Sequence, residues 1–245
     1  MRYFLRLSYD GTHFHGWQNQ PGDISVQQTI EEALSRTLRC PTSIVGAGRT
    51  DAGVHAREMF AHFDVDRAVE NPQIFLRSLN AQVGNDIALH ELIPVAPDAH
   101  ARFDATERTY RYYVHHRKDP FLNGQSLLIA PLDYEAMNLA AETLLNTDDF
   151  SSFAKLHSDA KTNICRVSRA RWSEIDHNRH VFTITADRFL RNMVRAVVGT
   201  LVDVGRGKLT VDDFIRIIAE RNRCSAGTSM PPYALFLEQI RYPYI

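Results

Sequence analysis

The sequence predicts an α+β fold made of two ferredoxin-like, RRM-like halves, each with an antiparallel sheet and helices on its outer face. Three observations carry that expectation. Several short stretches alternate apolar and polar residues with period two. In the N-terminal part these stretches are separated by helix-period segments, giving the order β-α-β-loop-β-α-β of a ferredoxin-like unit. The remainder carries strand and helix signals of the same kind, with insertions. A chain of 245 residues also suits two small domains or one large one. The best boundary lies near Pro97 to His100, which divides the chain into residues 1–98 and 99–245.

The elements follow in order. Arg2 to Tyr9 places Tyr3, Leu5, Leu7 and Tyr9 on one face of a half-buried strand. DGTHFHGWQNQPGD is rich in turn formers and reads as a loop. Ser25 with Gln28 fits a capping box, and Ile30, Leu34 and Leu38 mark one face of the helix that follows. A short strand near Thr42 to Val45, a glycine loop and a strand through Met59 to Val65 come next. Pro72 opens a second helix to about Leu79, and Ile87 to Val95 is a strand. In the second half Thr109 to His115 is a strand and Tyr134 to Leu145 a helix. Val167 to Ile175 and His180 to Ala186 form a hairpin around Asp176 to Arg179. Helices from about Arg188 to Val204 and Val211 to Glu220 precede a last strand, Ala234 to Ile240.

Composition sets bounds on function. Hydrophobic residues make up 44% and charged residues 23%, ordinary for a globular protein. No apolar run approaches the ~18 residues of a membrane span, so no membrane partner is expected. The start, MRYFLRLSYDG, lacks a signal-peptide core, which predicts a cytoplasmic protein. Cys40, Cys165 and Cys224 are far apart and read as reduced thiols. The formal net charge is −1, so any nucleic-acid binding must come from local clusters. His13 with His15, and His55 with His62, lack the neighbours of a metal motif; no metal is expected.

The stretch GAGRTDAGVHA, Gly46 to Ala56, poses the functional question. As a dinucleotide fingerprint it fails, because Asp51 stands where the third glycine packs helix on strand. As a P-loop it fails, because Val54 and His55 stand where Lys and Ser/Thr are needed. A third reading is a catalytic carboxylate on a tight loop, where glycines let backbone approach a substrate. From the residues alone, an ordinary turn with Arg49 and Asp51 solvated stands beside it.

The loop resembles, nearly letter for letter, the signature of the TruA-type tRNA pseudouridine synthases. Other segments resemble that family in the same order: YDGTHFHGWQNQ (Tyr9 to Gln20), HARFDATERTYRYYV (His100 to Val114), DDFSSF (Asp148 to Phe153) and FLRNMVRAVVGTLVDVG (Phe189 to Gly205). One block departs. Where the family usually reads APA-x-GL-x-L, this chain has MPPYALFL, Met230 to Leu237, with Ala234 for a glycine and Pro232 for an alanine.

The resemblance implies an isomerase that breaks the N1–C1′ bond of uridine and remakes it as C5–C1′ in the tRNA anticodon stem-loop, at tRNA positions 38 to 40. It implies no cofactor, a homodimer, and Asp51 as the catalytic nucleophile. Attack at C1′, addition to the uracil ring and removal of a 2′ proton all stay open for that carboxylate. Arg195 is the expected cation that keeps Asp51 ionised, which would put the catalytic cleft between the two halves. A solvated helix position is the alternative for Arg195, but its apolar neighbours Met193, Val194, Ala196, Val197 and Val198 argue for partial burial.

Tyr110 is implied to stack on the extruded uracil, with Tyr112 packed in the core. Arg49 is implied to fill the space left by base flipping; a loop-stiffening salt bridge is its alternative. RNA contacts are expected from Arg102, Arg108 and Arg111, and from Arg188 and Arg191 with Arg195. Arg206 with Lys208 is a further candidate. A non-catalytic RNA-binding protein on the same scaffold remains the rival reading.

Overall fold

The computed structural model describes residues 1–155 and 161–245. They form two compact units, Met1–Thr106 with Leu237–Ile245, and Glu107–Phe236. The fold is α+β, with antiparallel strand pairing predominant and five α-helices among the described residues.

The first unit begins with β1 (Arg2–Tyr9), α1 (Val26–Leu38), β2 (Val45–Gly46), β3 (His55–Asp64), α2 (Pro72–Asn80) and β4 (Ile87–Val95). β1 is central and antiparallel to both β3 and β4, with Arg2 opposite Asp64 on one side and Val95 on the other. Its alternation holds: Tyr3, Leu5, Leu7 and Tyr9 are all buried. Phe4, between them, is buried too, because Tyr242 packs edge-on against it at 5.2 Å. Tyr242 meets Phe60 in the same way and donates to the Ala101 carbonyl. Ser25 caps α1 by accepting the Gln28 amide at 3.1 Å. The Gln28 side chain reaches forward to Glu32 at 3.0 Å. α2 starts on Asn71, with Pro72 in its first turn, as the fixed proline φ favours.

β3 starts at His55, four residues before the expected Met59, since Tyr9 pairs with Ala56 and draws the loop end into the sheet. His62 on β3 is 5% exposed, and its Nδ1 accepts the Ala101 amide at 3.1 Å. Burial, aided by the nearby Arg2 charge, lowers its pKa to about 4. The unfolded side chain titrates near 6.5, so the unfolded chain takes up this proton first as pH falls. This part of the stability is therefore complete above about pH 6.5 and is lost as pH drops toward 4. His62→Gln is expected to flatten that decline, by on the order of 1–2 kcal/mol between pH 7 and 4.5 in urea unfolding.

The second unit contains β5 (Glu107–His115), β6 (Leu127–Leu128), α3 (Tyr134–Glu142), β7 (Val167–Asp176), β8 (Arg179–Ala186), α4 (Met193–Gly205) and α5 (Val211–Glu220). The last strand is β9 (Leu235–Arg241), whose residues from Leu237 onward belong to the first unit, in the order β4-β1-β3-β9. β8 lies between β5 and β7, antiparallel to both. The β7–β8 turn is held by Asp176, whose Oδ1 accepts the amides of Asn178 and Arg179. α4 is apolar nearly all round, with ten of its residues from Met193 to Val204 buried. That pattern belongs to a helix enclosed by its own unit. α4 starts at Met193 rather than near Arg188, because Asn192 adopts a left-handed φ of 66° that helix geometry excludes. α5 opens on the reciprocal Thr210–Asp213 capping box. No described helix is long and apolar enough to cross a membrane.

Candidate active site

In the first unit, the loop from Gly46 to Ala56 leaves β2 and enters β3. Gly46 pairs with Ala61 of β3, and the Ala47 amide donates to Phe60 O at 2.8 Å. The segment Gly11 to Trp17 grips the loop from the other side. Trp17 N donates to Thr50 O at 3.3 Å, and Gly53 N donates to Phe14 O at 3.2 Å. Tyr9 and Thr50 share a buried hydroxyl hydrogen bond of 2.9 Å. Gly16 has φ +88°, and a Cβ there would lie 2.4 Å from Thr50 O. Only glycine permits that approach. Val54 N donates to Asp51 O at 3.1 Å, closing a turn that carries the half-buried Asp51 side chain.

His55, buried at the base of the loop, accepts the Gly11 amide on Nδ1 at 3.0 Å. Asp10 Oδ1 also lies 3.1 Å from that nitrogen. Burial works against ionisation of Asp10, but the hydroxyl and amide of Thr12 hold its pKa below the usual carboxylate range.

Arg49 is exposed and takes part in no hydrogen bond or ion pair among the described residues. With Arg102 it lines an open cavity of about 170 Å³, whose wall also includes Trp17, Gln18, Gly46 and Gly48. Arg102 stands 5.8 Å from the Phe103 ring centroid, on a turn where the amides of both residues donate to His100 Nδ1. The remaining loop histidines are tied to acids: His13 to Asp86 at 3.1 Å and His15 to Asp23 at 3.5 Å.

In the second unit, half-buried Tyr110 on β5 meets Phe189 edge-on at 5.1 Å. Tyr112, two residues on, is fully buried and donates to Pro231 O at 3.0 Å; burial pushes its hydroxyl pKa up. Arg195, half-buried on α4, donates from Nε to Met230 O at 2.6 Å, and the Met230 amide donates back to Arg195 O at 3.1 Å. The divergent segment MPPYALFL therefore fixes both Arg195 and Tyr112. Those contacts leave no local signal in the sequence, because they join residues more than thirty positions apart.

The expected RNA-contacting arginines divide by surroundings. Arg108 donates to Asp187 O at 2.7 Å, and the Arg188 amide donates to Asp187 Oδ1 at 2.7 Å, so these two meet at one aspartate. Arg111 is half-buried on β5, and Arg191 is exposed on the turn before α4. Arg206 and Lys208 both approach Asp203, at 3.8 and 3.6 Å.

A family model described as tRNA pseudouridine synthase matches residues 7–104 and 140–243. A protein of Bacteroides fragilis named tRNA pseudouridine synthase A is 55% identical over 99% of this chain and 96% of its own. Proteins of the same name from Parabacteroides distasonis and Porphyromonas gingivalis are 54% and 53% identical, over 99% of this chain and 96% and 97% of theirs. With the glycine-clamped aspartate loop inside the matched region, these relationships show that the chain belongs to the tRNA pseudouridine synthase family.

Proposed function

We propose that this enzyme isomerises uridine to pseudouridine in the anticodon stem-loop of tRNA, with Asp51 as the catalytic carboxylate. The observation that carries the proposal is the placement of Asp51 on a loop pinned from both sides, in a chain of this family. Chemistry at an anomeric carbon suits a carboxylate, since Asp or Glu attacks or stabilises such centres. A covalent adduct would divide one difficult step into two easier ones. The uracil departs from C1′ through N1 and rejoins through C5, so atoms and electrons balance without a redox partner.

In this reading Arg195 is the cation that keeps Asp51 anionic, and Met230 holds its guanidinium in place through Nε. Tyr110 stacks on the turned-out uracil, braced by Phe189. Arg49 occupies the vacated place in the stem; its freedom from any ion pair among the described residues supports that role over a loop-stiffening salt bridge. Arg102, Arg108, Arg111, Arg188 and Arg191 contact phosphates. The scaffold is two ferredoxin-like halves, residues 1–98 and 99–245 by sequence, of which 99–106 and 237–245 pack in the first unit; each half supplies one catalytic group. The enzyme works as a cytoplasmic homodimer.

Mapping pseudouridine in unmodified tRNA after incubation with the purified protein tests this directly. Product confined to the anticodon arm, formed without added cofactor, is the expected result. Tight tRNA binding without product would favour the non-catalytic rival. Arg195→Lys keeps the charge but loses the Nε donor to Met230, and is expected to lower kcat by about a hundredfold.

A further inference from the structure

We infer that the cavity lined by Trp17, Gln18, Arg49 and Arg102 is a second substrate subsite, which binds the phosphate and sugar of one tRNA nucleotide flanking the target uridine. The inference rests on the tRNA reading above, whose Arg49 and Arg102 it joins to Trp17 and Gln18 in one subsite.

Three observations converge on it. The wall presents two guanidinium groups and the exposed Gln18 amide, and no carboxylate stands among its lining residues. Such a surface selects an anion that can also accept hydrogen bonds. The second observation is Trp17. Its indole N–H has no acceptor among the described residues, and it is not one of their fully buried unpartnered polar atoms, so it reaches solvent. Indole nitrogen is a donor only, so this N–H can bond to water or to an acceptor on a ligand. The ring cannot turn away to find an acceptor elsewhere. Tyr9 packs against it at 6.2 Å, and Gly46 lies so close that a Cβ there would fall 2.4 Å from the ring. An acceptor carried by an occupant of the cavity can therefore replace water at this N–H.

The third observation is size. About 170 Å³ falls below the roughly 300–1,000 Å³ of a typical small-molecule site. One nucleotide of a longer ligand fits that scale better than a whole cofactor. Gly48 and Arg49 belong to both the cavity wall and the Asp51 loop, so a nucleotide held here would lie next to the reacting one.

Equilibrium tRNA binding tests the subsite without requiring turnover. Trp17→Phe keeps the ring and removes the N–H; it is expected to weaken tRNA binding roughly tenfold with an unchanged salt slope. Gln18→Ala, at an exposed position with no hydrogen bond among the described residues, should weaken binding several-fold without altering the unfolding midpoint. Arg102→Gln should make the slope of log K against log salt shallower by about one. If Gln18→Ala and a folded Trp17→Phe both bind tRNA like the parent protein, the subsite does not exist. The same conclusion follows if they change self-association in sedimentation but leave tRNA affinity intact, since the cavity would then be a protein contact. A parent protein that binds tRNA but forms no pseudouridine would instead refute the catalytic reading and leave the subsite to the binding data.

Discussion

Asp51→Asn is expected to lower pseudouridine formation by about a thousandfold or more, with tRNA affinity retained. Asparagine has nearly the same size and shape as aspartate, but it carries no charge and is a poor nucleophile. The turn at this position is closed by main-chain atoms, Val54 N to Asp51 O, which the substitution leaves in place. Removing a negative charge beside RNA phosphates also gives no reason for weaker binding. Single-turnover assays with radiolabelled tRNA, run beside filter binding, separate the two effects. Persistent turnover would move the catalytic role to another residue. Parallel loss of binding and turnover would mean that the loop had rearranged.

Gly16→Ala should be nearly as damaging to activity, through the backbone alone. The added methyl would need both a left-handed φ of +88° and a position 2.4 Å from Thr50 O. Neighbouring atoms must shift, and the nearest of them belong to the main chain of Thr50, Asp51 and Ala52. The expected cost is about 2–4 kcal/mol of stability, with kcat lowered by at least tenfold because the displaced loop carries the carboxylate. Thermal unfolding with steady-state kinetics reads both. An active, fully stable Gly16→Ala protein would show that the grip of residues 11–17 on the loop is incidental.

Local pattern made much of this fold legible. The period-two run at Arg2–Tyr9 and the capped helices α1 and α5 needed no distant partner to be recognised. The boundaries that moved depend on tertiary contacts or single dihedrals. β3 reaches back to His55 because Tyr9 pairs there, and GVHA carries no strand period of its own. α4 waits for Met193 because one residue, Asn192, turns left-handed. For the site, the glycine loop raised Asp51 as a candidate beside an ordinary turn, and the family resemblance chose between them. The role of Gly16 and Gly46 as clearances for Thr50 and Trp17 appears only when residues thirty positions apart meet.

The late return of the chain to the first unit has a consequence for synthesis. Residues 107–236 make a complete unit, whereas the earlier one still needs Leu237 onward to flank β3 and Tyr242 to cover Phe4 and Phe60. A nascent chain emerging from the ribosome therefore exposes those two phenylalanines until its final strand is translated. The first unit therefore cannot be completed before residue 242 has been translated, although most of it is made first.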